Sequence, residues 1–119
     1  TLAEMRRAAE KLRDRMAHDG SRWVVLKGGH LPGSEAIDVV TDGDKMLELR
    51  AKRVDTANTH GTGCTLSAAI AALLPVSPDA PTAIRRAKDY LVASIAAAGA
   101  LDVGHGHGPV HHFHALWQR

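Results

Sequence analysis

The sequence predicts a small α/β protein with a β-hairpin, and three observations lead to this prediction. The first is an amphipathic helical pattern over roughly residues 2–18, where apolar side chains recur every three or four positions. The second is a short apolar run, Trp23–Leu26, between that helix and two glycines. The third is a pair of strand-like segments on either side of Asp42-Gly43, a dipeptide typical of hairpin turns. This order favours helices layered on a small sheet.

The first half of the chain can be assigned element by element. Asp19-Gly20 is expected to end the first helix, since glycine commonly follows a helix C-terminus. The run Trp23–Leu26 is continuously apolar, which indicates a buried strand and favours a parallel one. The segments that follow are predicted to be a loop at 28–35, strands at 36–41 and 45–52, and a loop at 54–63.

Two further helices are predicted in the second half. One begins near Cys64 and runs to Leu74, and because it is apolar on most sides we expect it to be buried. Prolines interrupt the chain after it. A third helix is predicted over about 79–98, and the tail from Leu101 to Arg119 is rich in glycine and histidine. The apolar stripe of the third helix consists of Ile84, Ala87, Leu91, Ser94 and Ile95.

Composition limits the possible functions. A chain of 119 residues suffices for one small domain, and 15 Lys+Arg against 13 Asp+Glu leave a net charge of +2, which argues against a nucleic-acid partner. No apolar run approaches the length of a membrane span, so we expect no membrane partner. The one cysteine, Cys64, excludes a disulfide within the chain and favours a reducing compartment, so a cytoplasmic location is expected.

The segment Asn58–Thr65 is the most informative for chemistry. Gly61 and Gly63 stand directly before the predicted second helix, and such a turn lets successive backbone N–H groups point into one concavity. The helix N-terminus adds a partial positive charge, so the concavity would bind phosphate-type anions. Cys64 at the helix start could accept a proton from a substrate hydroxyl, because this position stabilises a thiolate. The alternative is a plain glycine turn with Cys64 as a small buried hydrophobic residue.

Two other phosphate motifs are excluded by single residues. Gly28 and Gly33 have the spacing of a P-loop, but Ser34 stands where that motif requires lysine. Gly61 and Gly63 could begin a dinucleotide-binding fingerprint, but Leu66 replaces its third glycine. The sequence therefore points to an anion site of another type.

Three parts of the chain, in this order and spacing, resemble the hydroxymethylpyrimidine/phosphomethylpyrimidine kinase family. This resemblance implies a ribokinase-like fold, in which helices flank a Rossmann-like sheet. Residues 1–119 would be the C-terminal part of one such kinase domain, since nothing in them resembles the family's N-terminal half. The parts that carry the resemblance are Val25–His30, Asp55-Thr56 with Asn58–Ser67, and Gly106–Val110.

The resemblance also implies roles at the loop before the second helix. Cys64 matches the family's catalytic residue and would be the general base. The backbone of Gly61, Thr62 and Gly63 would form the anion hole for the transferring phosphoryl group. Most ribokinase-like sugar kinases have Asp at the position of Cys64, and the Cys variant resembles the vitamin-kinase branch.

Two lysines and several histidines are further candidates for the site. Lys27 matches a family lysine near the phosphates, and its place directly after a strand agrees with that role. Lys88 matches a family lysine near the nucleotide, although its local sequence favours a solvated helix charge. His60 could contact a phosphate or cap its loop. We predict no metal site in the tail, because the spacing of its histidines is irregular; these are His105, His107, His111, His112 and His114.

The activity that the resemblance implies is the ATP-dependent, Mg²⁺-assisted phosphorylation of 4-amino-5-hydroxymethyl-2-methylpyrimidine and its monophosphate in thiamine biosynthesis. Its implied partners are the small pyrimidine substrate, the missing N-terminal half of the kinase and a second copy in a homo-oligomer. The chain alone is expected to be inactive, because it lacks the pyrimidine pocket. The alternatives are a pyridoxal kinase of the same branch, a non-catalytic phosphate-binding fragment, and an assembly fragment that pairs through an exposed core edge.

Overall fold

The computed structural model describes residues 1–16 and 22–117. The chain divides into two compact units, Thr1–Arg53 and Val54–Arg119. None of the helices in the described part of the chain is long and apolar enough to cross a membrane.

The first unit is a helix and a three-stranded antiparallel sheet. Helix α1 covers Leu2–Met16. The strands are β1 (Val24–Leu26), β2 (Glu35–Thr41) and β3 (Met46–Lys52), in the spatial order β1-β2-β3. This agrees with the predicted helix, strand and hairpin.

The apolar stripe of α1 forms the core of this unit. Met5 and Ala9 lie four residues apart, so they share one face of the helix, and both are buried. They form a cluster with Val24 of β1 and Val39 of β2. The first half of the periodic face therefore packs as predicted, whereas Leu12 (43% exposed) and Met16 (41% exposed) further along it are not covered. The predicted end of α1 at Asp19-Gly20 lies outside the described residues.

The Asp42 carboxylate fixes the turn of the β2–β3 hairpin. Its Oδ1 accepts hydrogen bonds from the backbone N–H groups of Asp44 (3.0 Å) and Lys45 (2.7 Å). The bond from Lys45 is the main cause that lowers the pKa of Asp42, because it stabilises the charged carboxylate. Gly43 has φ +102°, a left-handed conformation that glycine adopts without strain. The hairpin prediction is confirmed.

The prediction that β1 is a parallel strand is wrong for its pairing with β2. β1 pairs with β2 antiparallel, with Val24 opposite Thr41 and Leu26 opposite Val39. A continuous apolar run indicates burial, and it does not determine the direction of the neighbouring strand. The short loop between β1 and β2 returns the chain as an antiparallel neighbour, whereas a parallel one needs a crossover of a dozen or more residues.

Arg53 holds this loop in place from the end of β3. Its guanidinium donates to backbone carbonyls of the loop, a set of partners that no local pattern reveals. The acceptors are the carbonyl oxygens of Gly29 (2.5 Å), Leu31 (2.5 Å), Gly33 (3.0 Å) and Glu35 (3.3 Å).

The second unit contains two helices, each followed by a short 3₁₀ turn. Helix α2 covers Thr62–Leu73 and helix α3 covers Ala80–Ala96. The side chain of Asp79 caps α3 by accepting from the backbone N–H of Thr82 at 2.8 Å. In α3 the predicted stripe is buried except for half-buried Ile95. Both predicted helices are therefore present, with small differences at their ends.

The expected burial of α2 is wrong for this structure. Only Thr65 and Leu66 are buried among its residues. Ala68, Ala71 and Ala72 are exposed. An apolar helix is buried only as far as neighbouring elements cover it, and the rest of this unit covers one side of α2.

We predict that Gly28→Ala destabilises the chain by about 1–3 kcal/mol, the usual cost of overpacking. A Cβ at Gly28 would overlap the backbone carbonyl oxygen of Ile37, which cannot move without displacing β2. Urea unfolding followed by circular dichroism measures the loss. Gly29→Ala is the matched control, since a Cβ at Gly29 meets nothing within 4 Å. Equal stability of the two variants would contradict this account of the loop.

Candidate functional site

Helix α2 begins at a left-handed glycine. Gly61 is the N-cap residue, with φ 80° and ψ 11°. Its carbonyl oxygen accepts from both the backbone N–H (2.9 Å) and the Oγ1 hydroxyl (2.8 Å) of Thr65. A residue with a Cβ would be strained at this φ, so glycine is required here for its backbone conformation.

The two glycines at the N-terminus of α2 leave room beside the turn. No side chain caps this end of the helix, and the amides of a first helical turn have no acceptor within the helix. A Cβ at Gly61 or Gly63 would meet no heavy atom within 4 Å. Gly63 has no positive φ, so its backbone conformation does not require glycine. The turn can therefore receive an anion against its N–H groups.

Cys64 stands at the third position of α2, next to this turn. Its side chain is exposed, so it is not the small buried residue that the alternative interpretation proposed. The thiol is within the first turn of the helix, beside the glycine turn. A thiolate in this place can accept a proton from a molecule held at the turn.

A groove of about 770 Å³ extends from this turn along α2. One wall consists of Cys64 and small apolar residues of the helix, including Ala68 and Ala72. Arg86 and Tyr90 of α3 also line the groove. The volume lies within the range of about 300–1,000 Å³ that is usual for small-molecule sites.

Hydrogen bonds partly fix the two polar side chains of α3 that line the groove. The Arg86 guanidinium donates to Ser77 Oγ at 3.2 Å. The Tyr90 hydroxyl donates to the backbone carbonyl of His112 at 2.7 Å. Our sequence reasoning missed Arg86 and Tyr90. The available signal was their spacing of four residues, which places both on one face of α3.

The two predicted lysines are placed differently. Lys27 is exposed directly after β1, in the first unit, whereas Cys64 belongs to the second. Lys88 is 5% exposed in α3, so the interpretation as a solvated helix charge is wrong. It lies on the buried side of α3, two positions from Arg86 and from Tyr90, and it does not line the groove. Their roles near phosphate and nucleotide stay predictions.

The loop before α2 is joined to the tail. The backbone N–H of His60 donates to the carbonyl oxygen of Gly108 at 3.1 Å, and His60 forms a parallel β-bridge with Pro109. The side chain of His60 is exposed and borders the groove. Within residues 1–16 and 22–117, no group of three or more His, Cys, Asp or Glu side chains is placed to hold a metal ion.

The family of the chain follows from comparison with known proteins. The family model described as phosphomethylpyrimidine kinase matches residues 1–111, so the chain belongs to this family. It is 52% identical over 116 residues to the hydroxymethylpyrimidine/phosphomethylpyrimidine kinase of Rhizobium meliloti (strain 1021). That match covers 98% of this chain and 42% of the relative, so the chain spans less than half the length of this relative.

Two solved structures show the same fold. The ADP complex of Bacillus subtilis pyridoxal kinase has a TM-score of 0.85 and 34% identity, covering 97% of this chain and 43% of that one. Staphylococcus aureus pyridoxal kinase in complex with AMP-PCP and pyridoxal has a TM-score of 0.86 and 26% identity, covering 98% and 41%. The expected ribokinase-like fold is thereby confirmed, as is the predicted family.

We predict that Cys64 reacts stoichiometrically with a thiol reagent in the native chain, because the structure exposes it at the end of the groove. Titration with Ellman's reagent should give one thiol per chain, and the same value in denaturant. Cys64→Ala gives the background. A thiol that reacts only after unfolding would contradict the exposed position.

Proposed function

We propose that these residues form the phosphoryl-transfer part of a hydroxymethylpyrimidine/phosphomethylpyrimidine kinase that uses ATP. The observation that carries the proposal is the open N-terminus of α2, with Gly61 and Gly63 before and within its first turn and Cys64 exposed beside it. It occurs in a chain whose family consists of phosphomethylpyrimidine kinases. The turn would bind the transferring phosphate, and the Cys64 thiolate would accept the proton of the substrate hydroxyl.

The backbone of Gly61, Thr62 and Gly63 would form the anion hole. In phosphoryl transfer, catalysis is mainly positioning and stabilisation of charge on the transferring group. Backbone N–H groups at a helix start are fixed donors, so they need no reorganisation as charge develops. Removal of one comparable donor costs about 10²–10³ in rate in other enzymes.

Cys64 would act as the general base. The hydroxymethyl oxygen of the pyrimidine attacks the γ-phosphorus of ATP, and its proton passes to the Cys64 thiolate. The bond from the γ-phosphorus to its bridging oxygen breaks, and ADP leaves with the electron pair. The same transfer to the monophosphate would give the pyrophosphate. A positioned base contributes typically about 10²–10⁴ in rate.

The proposal also gives roles to the positively charged groups of the site. Lys27 would lie near the phosphates and Lys88 near the nucleotide, the roles that the resemblance to the family implies. Mg²⁺ would be held mainly by the nucleotide phosphates, the usual mode for this ion, and would neutralise charge on them. Arg86 adds a positive side chain at the groove.

The pyrimidine pocket would come from outside these residues. The chain matches 42% of the length of its Rhizobium meliloti relative. We propose that it is the C-terminal part of one kinase domain, that the N-terminal half supplies the pocket, and that the complete kinase is a homo-oligomer. The chain alone would then lack kinase activity, whether the other half belongs to the same polypeptide or to a second one.

A pyridoxal kinase is the second candidate, because one of the similar structures holds pyridoxal. The pyrimidine is preferred, since the identity to the pyrimidine kinase of Rhizobium meliloti is 52% and that to the pyridoxal kinase of Bacillus subtilis is 34%. Turnover of the two substrates by the complete kinase distinguishes these candidates.

We predict that Cys64→Ala in the complete kinase lowers kcat by about 10²–10⁴ while ATP still binds, because the base is lost and the anion hole is kept. Steady-state kinetics and ATP titration measure the two effects. Cys64→Asp should recover part of the rate, since a carboxylate can also accept the proton. Ala71→Ser, on the exposed side of α2, is the control for a change in the helix. Near-normal turnover of Cys64→Ala would exclude the base role.

A further inference from the structure

The tail reaches back to the loop that precedes α2. We define the closing segment as residues 107–112. Besides the hydrogen bond from His60 to the Gly108 carbonyl and the bridge to Pro109, His107 Nδ1 lies 3.4 Å from the carbonyl oxygen of Ala57. Residues about fifty positions apart in sequence are therefore joined directly before the proposed anion hole.

Helix α3 is hydrogen-bonded to the closing segment as well. The backbone N–H of His111 donates to the carbonyl oxygen of Ser94 at 2.9 Å, and the Tyr90 hydroxyl donates to the carbonyl of His112. Val110 is 1% exposed and His111 is 6% exposed. A segment with buried side chains and bonded backbone is a firm support for the loop beside it.

Asn58 joins the same loop to the end of α3. Its Nδ2 donates to the carbonyl oxygen of Ala98 at 2.9 Å, and its backbone N–H donates to Thr56 Oγ1 at 3.1 Å. Ala98 is fully buried. The Asn58 side chain therefore fixes the loop at a position three residues before Gly61.

Gly108 lies directly against the Asn58 carboxamide. A Cβ built on Gly108 would overlap Asn58 Oδ1 and would come within 2.7 Å of Asn58 Cγ. Gly108 has no positive φ, so a side chain here would be opposed by the contact with Asn58 and not by the backbone conformation. The contact allows the Gly108 carbonyl to reach His60 while Asn58 reaches Ala98.

We propose that Asn58 and Gly108 are positioning residues for the anion hole. They fix the loop through His60, the residue before Gly61, and so determine where the left-handed turn begins α2. Neither residue is assigned contact with substrate or nucleotide. The importance of this arrangement for catalysis rests on the proposed kinase function, whereas its effect on the loop can be measured without any ligand.

The test compares four variants of the full chain by ¹H–¹⁵N spectra and amide hydrogen exchange, with no ligand present. Gly108→Ala introduces the overlap, and Asn58→Ala removes the side chain that it meets. The double variant combines them. Gly106→Ala is the matched control, because a Cβ there meets nothing within 4 Å and its φ is not positive.

We expect Gly108→Ala to shift the amide signals of Gly61 to Thr65 and to speed the exchange of the hydrogen-bonded amides of His60 and Thr65 about fivefold or more, which corresponds to the loss of one typical hydrogen bond. Gly106→Ala should leave these amides unchanged. The double variant should resemble Asn58→Ala alone, because the overlap no longer exists. If Gly108→Ala fails to fold, the comparison of Asn58→Ala with Gly106→Ala makes the same test.

Unchanged loop amides in Gly108→Ala, or in Asn58→Ala, would overturn the proposal. Exchange that accelerates equally in α1 and α2 would also overturn it, because that pattern indicates a loss of global stability and not of loop position. The kinase proposal is tested separately, by adding ADP to the unmodified chain. Absence of any response to ADP would count against the proposed nucleotide site and would leave the result on the loop intact.

Discussion

The left-handed backbone of Gly61 is the constraint on which the candidate site depends. At this residue the chain passes from a loop into α2, and the Gly61 carbonyl accepts both bonds from Thr65 that begin the helix. No side chain caps this end, and a Cβ at Gly61 or Gly63 would meet nothing within 4 Å, so there is room for an anion beside the turn. The exposure of Cys64 and the groove that starts beside it follow from where this turn places the helix.

The parts of the fold that sequence predicts are those fixed by local physics. Helix α1 shows its buried face through Met5 and Ala9, and the hairpin is determined by the carboxylate and glycine of Asp42-Gly43. Asn58–Thr65 predicted the helix start, because a glycine turn before an apolar helix is visible in sequence. The direction of β1 was not predictable from its own residues, because the partner strand determines it.

The features that the sequence did not reveal depend on distant residues. Arg53 binds carbonyls of a loop about twenty positions earlier, and Asn58 binds the carbonyl of Ala98. The groove is lined by residues of both α2 and α3, so the position of Arg86 beside it cannot be read from the sequence of either helix alone. Burial is another non-local property, which explains why apolar α2 was expected in a core and is found largely exposed. In each case the tertiary fold brings the residues together, so their spacing in the sequence does not reveal the contact.

The most direct measurement of the central claim is a titration of the ¹⁵N-labelled chain with inorganic phosphate, followed through the backbone amide signals. If the start of α2 is an anion hole, the amides of Thr62, Gly63 and Cys64 shift in a saturable way, since anions bind to N–H groups at helix N-termini. Shifts confined to the exposed histidines of the tail, or no saturable shift at these three amides, would contradict the account.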